Sequence, residues 1–170
     1  PLKELIPQLS GEENAKALDV AQQNCFAVGL TSVVDAGLEK DLISLIDSLQ
    51  QKGVLKMKIN AMLSPNNENL THFIEKGPYV TDKLSVRSVK LYADGALGSR
   101  GALLLDEYAD DQENYGLLIK DPDYYRKWAQ RAYDNNFQVC THTIGDSGAR
   151  VILDICGEFL KGKNDRRWRI

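Results

Sequence analysis

Apolar positions recur along this chain with two alternating periods. Between Ser10 and Gly29 the spacing is helical: Ser10 and Glu13 make a capping box, Ala17, Leu18, Ala21, Cys25 and Val28 share a face, and Gly29 closes the helix. The β-branched run from Leu30 to Asp35 reads as a strand, with Asp35-Ala36-Gly37 as its turn. Leu42, Ile43, Leu45, Ile46 and Leu49 mark the next amphipathic helix, which ends near Gly53. Met57 to Leu63 is a second strand, stopped by Ser64-Pro65, and Leu70, Phe73 and Ile74 mark a helix ending near Gly77-Pro78. Ser88 to Ala93 is the third strand. Asp121-Pro122 then starts a helix as N-cap and first-turn proline, with Tyr125, Trp128, Ala129, Ala132 and Tyr133 as its buried face. Phe137 to Thr143 is the fourth strand, and the helix after it, capped by Asp146, carries Val151, Ile152, Ile155 and Phe159. Arg167 to Ile170 reads as the opening of one more strand.

The order is one helix, four βα units and a strand start, which predicts an α/β chain with a parallel sheet and right-handed crossovers. The strands are not apolar on both faces. The third puts Ser88, Lys90 and Tyr92 on one side, and the fourth puts Gln138, Cys140 and His142 there. A polar inner face with reactive groups near the C-terminal strand ends suits a (β/α)8 barrel better than an open doubly wound sheet. A whole barrel takes about 250 residues, so 170 residues with four strands and a stub predict a partial barrel in a single domain. The chain starts at Pro1 rather than methionine, so a longer parent is expected, and with it any targeting segment.

Composition changes this picture little. A net charge of −3 with scattered Lys and Arg argues against nucleic acid as partner. No apolar run approaches the roughly 18 residues of a membrane span, so no membrane partner is expected. Cys25, Cys140 and Cys156 are odd in number and lack C-x-x-C spacing, so they read as reduced, buried small residues. The cytoplasm is the expected compartment, with export left open by the missing N-terminus.

The candidate chemistry lies at the strand ends. An ammonium group on a half-buried strand is costly unless it is paired, snorkels to water or loses its charge. Lys90 therefore has two chemical readings: a Schiff-base nucleophile, or an amine carboxylated by CO2 into a metal-bridging carbamate. His142 at the end of the next strand would be an acid–base group in the first case and a metal ligand in the second. Asp35, Asp94 and Asp146 sit at strand or helix ends, where each is either a turn or cap residue or a carboxylate orienting a ligand. Asp94 is also the one candidate for a catalytic carboxylate. Gly95, Ser99 and Arg100 belong to a glycine-rich connection whose spacing fits neither a dinucleotide fingerprint nor a P-loop. The connection from Asp94 to Lys120 is long enough to be functional in its own right. His72 is read as a surface residue without a role.

Four segments carry a resemblance: G-L-T-S-V-V-D-A-G (29–37), V-K-L-Y-A-D-G-A-L-G-S-R-G-A (89–102), Asp110-Asp111 with Asn114 to Leu118, and T-H-T-I-G-D (141–146). Together they resemble the YtcJ-like branch of the amidohydrolase superfamily, which includes N-substituted formamide deformylase-like proteins. The resemblance implies a TIM-barrel, metal-dependent hydrolase acting on non-peptide C–N bonds of small amide, formamide or cyclic amide substrates. It implies Lys90 on the fourth barrel strand as a carboxylated ligand and His142 on the fifth as a metal ligand. Residues 94–120, with Gly95, Ser99 and Arg100, would line the substrate mouth, and Asp35 and Asp146 would stand behind the ligands. The chain would then span barrel strands 2 to 5 and the start of 6. The cofactor implied is a divalent metal, zinc, as one or two ions in the parent enzyme and an incomplete complement here. The family's first-strand H-x-H, sixth-strand histidine, eighth-strand aspartate and β-sandwich lie outside this sequence, so the chain by itself is expected to be inactive. Two alternatives stay open: a Schiff-base lyase or aldolase using Lys90, and a non-catalytic half-barrel that self-associates through open strand edges.

Overall fold

The structure, a computed structural model, describes residues 5, 7 and 9–170. Four strands form a parallel ladder: β1 (Ser32–Leu38), β2 (Lys58–Leu63), β4 (Leu84–Tyr92) and β5 (Gln138–His142). Their spatial order follows their sequence order, β1-β2-β4-β5, and Arg169 continues it by pairing parallel with Cys140. A sheet that never reverses direction sends every crossover the same way, so its helices lie on one face and the other is left to a barrel interior. This is the partial-barrel arrangement that the alternating pattern predicted. A two-residue strand that the pattern did not reveal, β3 (Tyr79–Val80), pairs antiparallel with the start of β4.

The helix-facing layer is the core. Ile59, Ala61 and Leu63 of β2, Val86, Val89 and Leu91 of β4, and Val139 of β5 are buried there. They pack against Ile43, Ile46 and Leu49 of α2 (Lys40–Gln51), Tyr125, Trp128, Ala129 and Ala132 of α4 (Pro122–Asp134), and Ile152 and Ile155 of α5 (Asp146–Phe159). The Asp121 carboxylate caps α4 by accepting from the Tyr124 N–H at 2.9 Å, with Pro122 in the first turn. Among the described residues no helix is long and apolar enough to cross a membrane.

Several boundaries differ from the sequence reading, each for a physical reason. β1 continues past Asp35 to Leu38, because Gly37 at φ 104° takes up a register shift that a side chain would resist. β4 begins at Leu84 rather than Ser88; an irregularity in its pairing with β2 lets both Val86 and Val89 face the core, so simple alternation breaks there. The expected helix over Leu70, Phe73 and Ile74 is a short α3 (Asn67–His72) followed by a 3-10 turn, Ile74–Lys76. The cap of α5 is Gly145, and Asp146 is the first helical residue.

Helix α1 (Gly11–Ala27) has its Ser10–Glu13 capping box but packs on a different face from the one expected. Ala15, Leu18, Cys25 and Phe26 touch the core around buried Gln22, whereas Ala17, Ala21 and Val28 face outward. Gln22 decides the rotation. Its amide oxygen accepts from the backbone N–H groups of Lys56 and Met57, and its amide nitrogen donates to the Val54 carbonyl at 3.0 Å. The glutamine thus satisfies the extended segment entering β2, a connection that no apolar residue could make.

Gln22→Ala strands these buried backbone groups and is expected to cost about 1–3 kcal/mol. Phe137→Ala, which empties a fully buried site ahead of β5, is expected to cost about 3–5 kcal/mol. Urea unfolding monitored by tryptophan fluorescence measures both.

Candidate functional site

The parallel register between β4 and β5 sets Ser88 beside Gln138, Lys90 beside Cys140 and Tyr92 beside His142. All six lie on the face away from the helices, since Val89 and Leu91 between them are buried beneath α4 and α5. Pairing continues one step beyond the strands, with the Ala93 N–H donating to the His142 carbonyl at 2.8 Å. Lys90 and His142 therefore project from adjacent strands on one face near their C-terminal ends. Tyr92 stands between them, its ring centroid 4.8 Å from the Lys90 ammonium and 5.6 Å from the His142 ring centroid.

Arg169 joins this group. Its backbone bonds to Val139 and Thr141 place it opposite Cys140, one strand beyond β5 and two from Lys90. Met62, Lys90, Cys140, His142 and Arg169 line one open hollow of about 260 Å3. Burial holds the Lys90 ammonium below the ordinary lysine range; the Cys140 sulfur opposes that shift and the Arg169 charge adds to it. Burial likewise pushes the Cys140 thiol up. Roomier hollows of about 410 Å3 and 510 Å3 flank His72 and α1, but they lie away from the ends of β4 and β5. His72 there packs edge-on against Phe73.

Asp94 is enclosed and fully occupied. One carboxylate oxygen accepts from the Ile144 N–H at 2.9 Å, the other from the N–H groups of Leu103 at 3.0 Å and Gly145 at 2.7 Å. It is 1% exposed, and both of its oxygens are taken by backbone N–H groups. Asp146 accepts from the Leu105 N–H at 2.9 Å, which ties the long connection to the start of α5. Asp35 is in register with Ala61, hence on the helix side of the sheet, across from Lys90 and His142.

Gly95, Ser99 and Arg100 form a closed turn. The Gly95 N–H donates to the Gly101 carbonyl and the Gly101 N–H to the Ala96 carbonyl, so these donors are turned inward. The Ser99 hydroxyl donates to Ala96 O at 3.2 Å. Arg100 reaches Asp110 at 3.1 Å and Asp111 at 3.4 Å; the hydrogen bond and charge of Asp110 raise the Arg100 pKa, and those of Arg100 lower the Asp110 pKa. Of the residues singled out from sequence, the structure thus brings Lys90 and His142 together, leaves Asp94, Asp146 and the Gly95–Arg100 turn beyond their strand ends, and puts Asp35 on the opposite face. Tyr92 and Cys140 could have been added from strand alternation alone. Arg169 could not, because its place depends on a strand pairing.

The fit to a metal is partial. Lys90, were it carboxylated, and the His142 imidazole would offer oxygen and nitrogen donors to one hollow, as a metal shell requires. Among the described residues, however, no group of three or more His, Cys, Asp or Glu could hold an ion, and zinc normally takes three protein ligands plus water.

A family model described as "Amidohydrolase family" matches residues 1–168. The chain is 29% identical over 180 residues to the protein LONG AFTER FAR-RED 3 of Arabidopsis thaliana, covering 97% of this chain and 31% of that protein. It is 28% identical over 174 residues to the putative amidohydrolase YtcJ of Bacillus subtilis, covering 95% and 31%. Two solved structures, uncharacterized metal-dependent hydrolases from Pyrococcus furiosus and Pyrococcus horikoshii, superpose with a TM-score of 0.81 at 31% and 27% identity. Each superposition covers 88% of this chain, and 32% and 31% of those chains. The chain spans about a third of the length of the curated relatives it matches.

The lowered lysine pKa has a checkable sign. The folded chain holds the Lys90 proton less tightly than the unfolded chain, so this penalty is largest at neutral pH. It fades as pH rises from the lowered folded value toward the ordinary lysine value of about 10.4, and is gone above it. Lys90→Met is expected to raise the melting temperature at about pH 7, with the gain shrinking as pH approaches about 10.4 and absent beyond it. A gain independent of pH would assign the effect to packing instead.

Proposed function

Because the chain belongs to the amidohydrolase family, we propose that it forms the central strands of a metal-dependent hydrolase barrel acting on C–N bonds other than peptide bonds. Lys90 and His142 would be two of its metal donors. The observation that carries this reading is their placement on one face of adjacent strands, open to a shared hollow.

The state of Lys90 links the geometry to the chemistry. Burial favours its neutral amine, whose lone pair can attack the carbon of CO2; an N–C bond forms and one proton leaves to solvent, giving a carbamate anion. That anion would share its layer of the sheet with Arg169, two strands away, whose charge already acts on Lys90 and would favour it. His142 would contribute a ring nitrogen, held in place by the β4–β5 pairing. A divalent cation bound to such donors lowers the pKa of water to about 7 and polarises a carbonyl oxygen. Zinc would suit this mixed oxygen and nitrogen set, as one or two ions, with further donors from chain beyond these residues. The connection 94–120, closed on itself and pinned to α5, would form one fixed wall of the mouth for a small amide, formamide or cyclic amide.

The test is metal-dependent hydrolysis of N-formyl and cyclic amide substrates by the longest form of the enzyme carrying this segment, before and after chelation. Lys90→Ala and His142→Ala should each lower kcat/KM by more than the ~10–100-fold typical of outer-shell partners, with metal content falling in parallel. Intact mass in bicarbonate should show one added CO2 that is lost in Lys90→Ala. Borohydride trapping of a carbonyl substrate on Lys90, without that added mass, would replace this reading with the Schiff-base one. The segment alone, with two donors, should show no turnover.

A further inference from the structure

Asp94 is a buried carboxylate held by backbone alone. Among the described residues no Lys, Arg or His lies within ion-pair distance of it. Its partners are three N–H groups from two separate stretches: Leu103 in the long connection, and Ile144 and Gly145 in the turn between β5 and α5. Hydrogen bonds to an ionised oxygen are about twice as strong as neutral ones, and here both oxygens are used. The Gly145 N–H stands at the start of the 14-residue helix α5, whose dipole also favours an anion at that end.

The backbone packs closely around the carboxylate. A Cβ on Gly148 would come within 2.8 Å of the Asp94 Oδ2, and a Cβ on Gly145 would collide with the Leu103 carbonyl. Glycine at both places lets the connection, the carboxylate and the first turn of α5 close onto one another. The Leu103 carbonyl completes the junction by accepting from the Gly148 N–H at 3.1 Å.

The chemistry of this junction matters because of what it joins. Asp94 lies four residues after Lys90, and Ile144 two residues after His142. The ladder between β4 and β5 ends at Tyr92 and His142, with one further bond from Ala93. Beyond that point Asp94 is the side chain that holds the two strand ends together. We propose that Asp94 is a positioning residue, which fixes the separation of the strand ends bearing Lys90 and His142 and locks the 94–120 connection as a static wall. Calling these two residues donors rests on the functional reading above; their fixed geometry does not.

The test compares the chain with its Asp94→Asn variant by amide hydrogen exchange and by the nuclear Overhauser contact between the Tyr92 and His142 rings. Exchange at Leu103, Ile144 and Gly145 should quicken about tenfold or more relative to β2, the factor that one lost hydrogen bond corresponds to. The ring contact, 5.6 Å between centroids in the folded chain, should weaken at the same time. Quickened exchange with the ring contact unchanged would show that Asp94 holds only the connection, and it would overturn the proposal. Uniform acceleration in every strand would overturn it too, since that is the mark of a general loss of stability.

If the asparagine variant does not fold, Gly148→Ala takes its place, pushing on the carboxylate without removing it. Helix propensity alone favours alanine there, so local loosening at the three amides must come through Asp94, and an unchanged ring contact again overturns the proposal. Cobalt(II) titration of the longest form of the enzyme carrying this segment is read separately. Binding there that is unchanged in Lys90→Ala and His142→Ala counts against these two residues as donors, while the ring contact still decides the role of Asp94.

Discussion

The side-chain direction of β4 is the constraint from which the rest follows. Val89 and Leu91 are buried against the helices, and successive residues of a strand point to opposite faces. Lys90 and Tyr92 are therefore forced onto the other face whatever their own preferences. The parallel register hands the same alternation to β5, so Cys140 and His142 arrive beside them while Val139 and Thr141 enter the core. A slip of one residue would bring the ammonium into the helix layer, at the cost of an unpaired buried charge. The apolar core thus aims the polar site.

The charges around that site are unevenly spent. Lys90 and Arg169 share one layer of the inner face, with a thiol between them and no carboxylate. The acidic residues near the same strand ends are committed elsewhere: Asp94 to three backbone N–H groups, Asp146 to Leu105, Asp110 and Asp111 to Arg100. Burial of Lys90, with the Arg169 charge on the same layer adding to it, favours the neutral amine.

The long connection after β4 shows how glycine and buried hydrogen bonds replace regular structure. Gly116, at φ 77°, approaches the Ala102 carbonyl so closely that a Cβ would collide with it, and the Tyr108 hydroxyl donates to that same carbonyl at 2.9 Å. The Ile119 N–H returns to the Ala93 carbonyl at 2.8 Å, which closes the excursion where it began. Such a segment can be long without being loose. The likeness to two hydrolase structures over 88% of this chain indicates a shared backbone for the strands that carry the site.

The sequence by itself determined the order of the helices and parallel strands and the shared face of Lys90 and His142, because each is written in a local period of two or 3.6 residues. It also carried the family, through motifs that lie in the strands and the turns just after them. The tertiary structure decided which face of α1 packs, because Gln22 finds its partners more than thirty residues away in the segment entering β2. It decided that Asp35 stands on the far side of the sheet, that Arg169 sits beside Cys140 on the layer of Lys90, and that Asp94 is enclosed by amides as far as 51 residues along the chain. These outcomes depend on strand register and on the path of a long connection. No local pattern of apolar and polar residues encodes either, because both are settled only when distant backbone groups compete for the same buried hydrogen bonds.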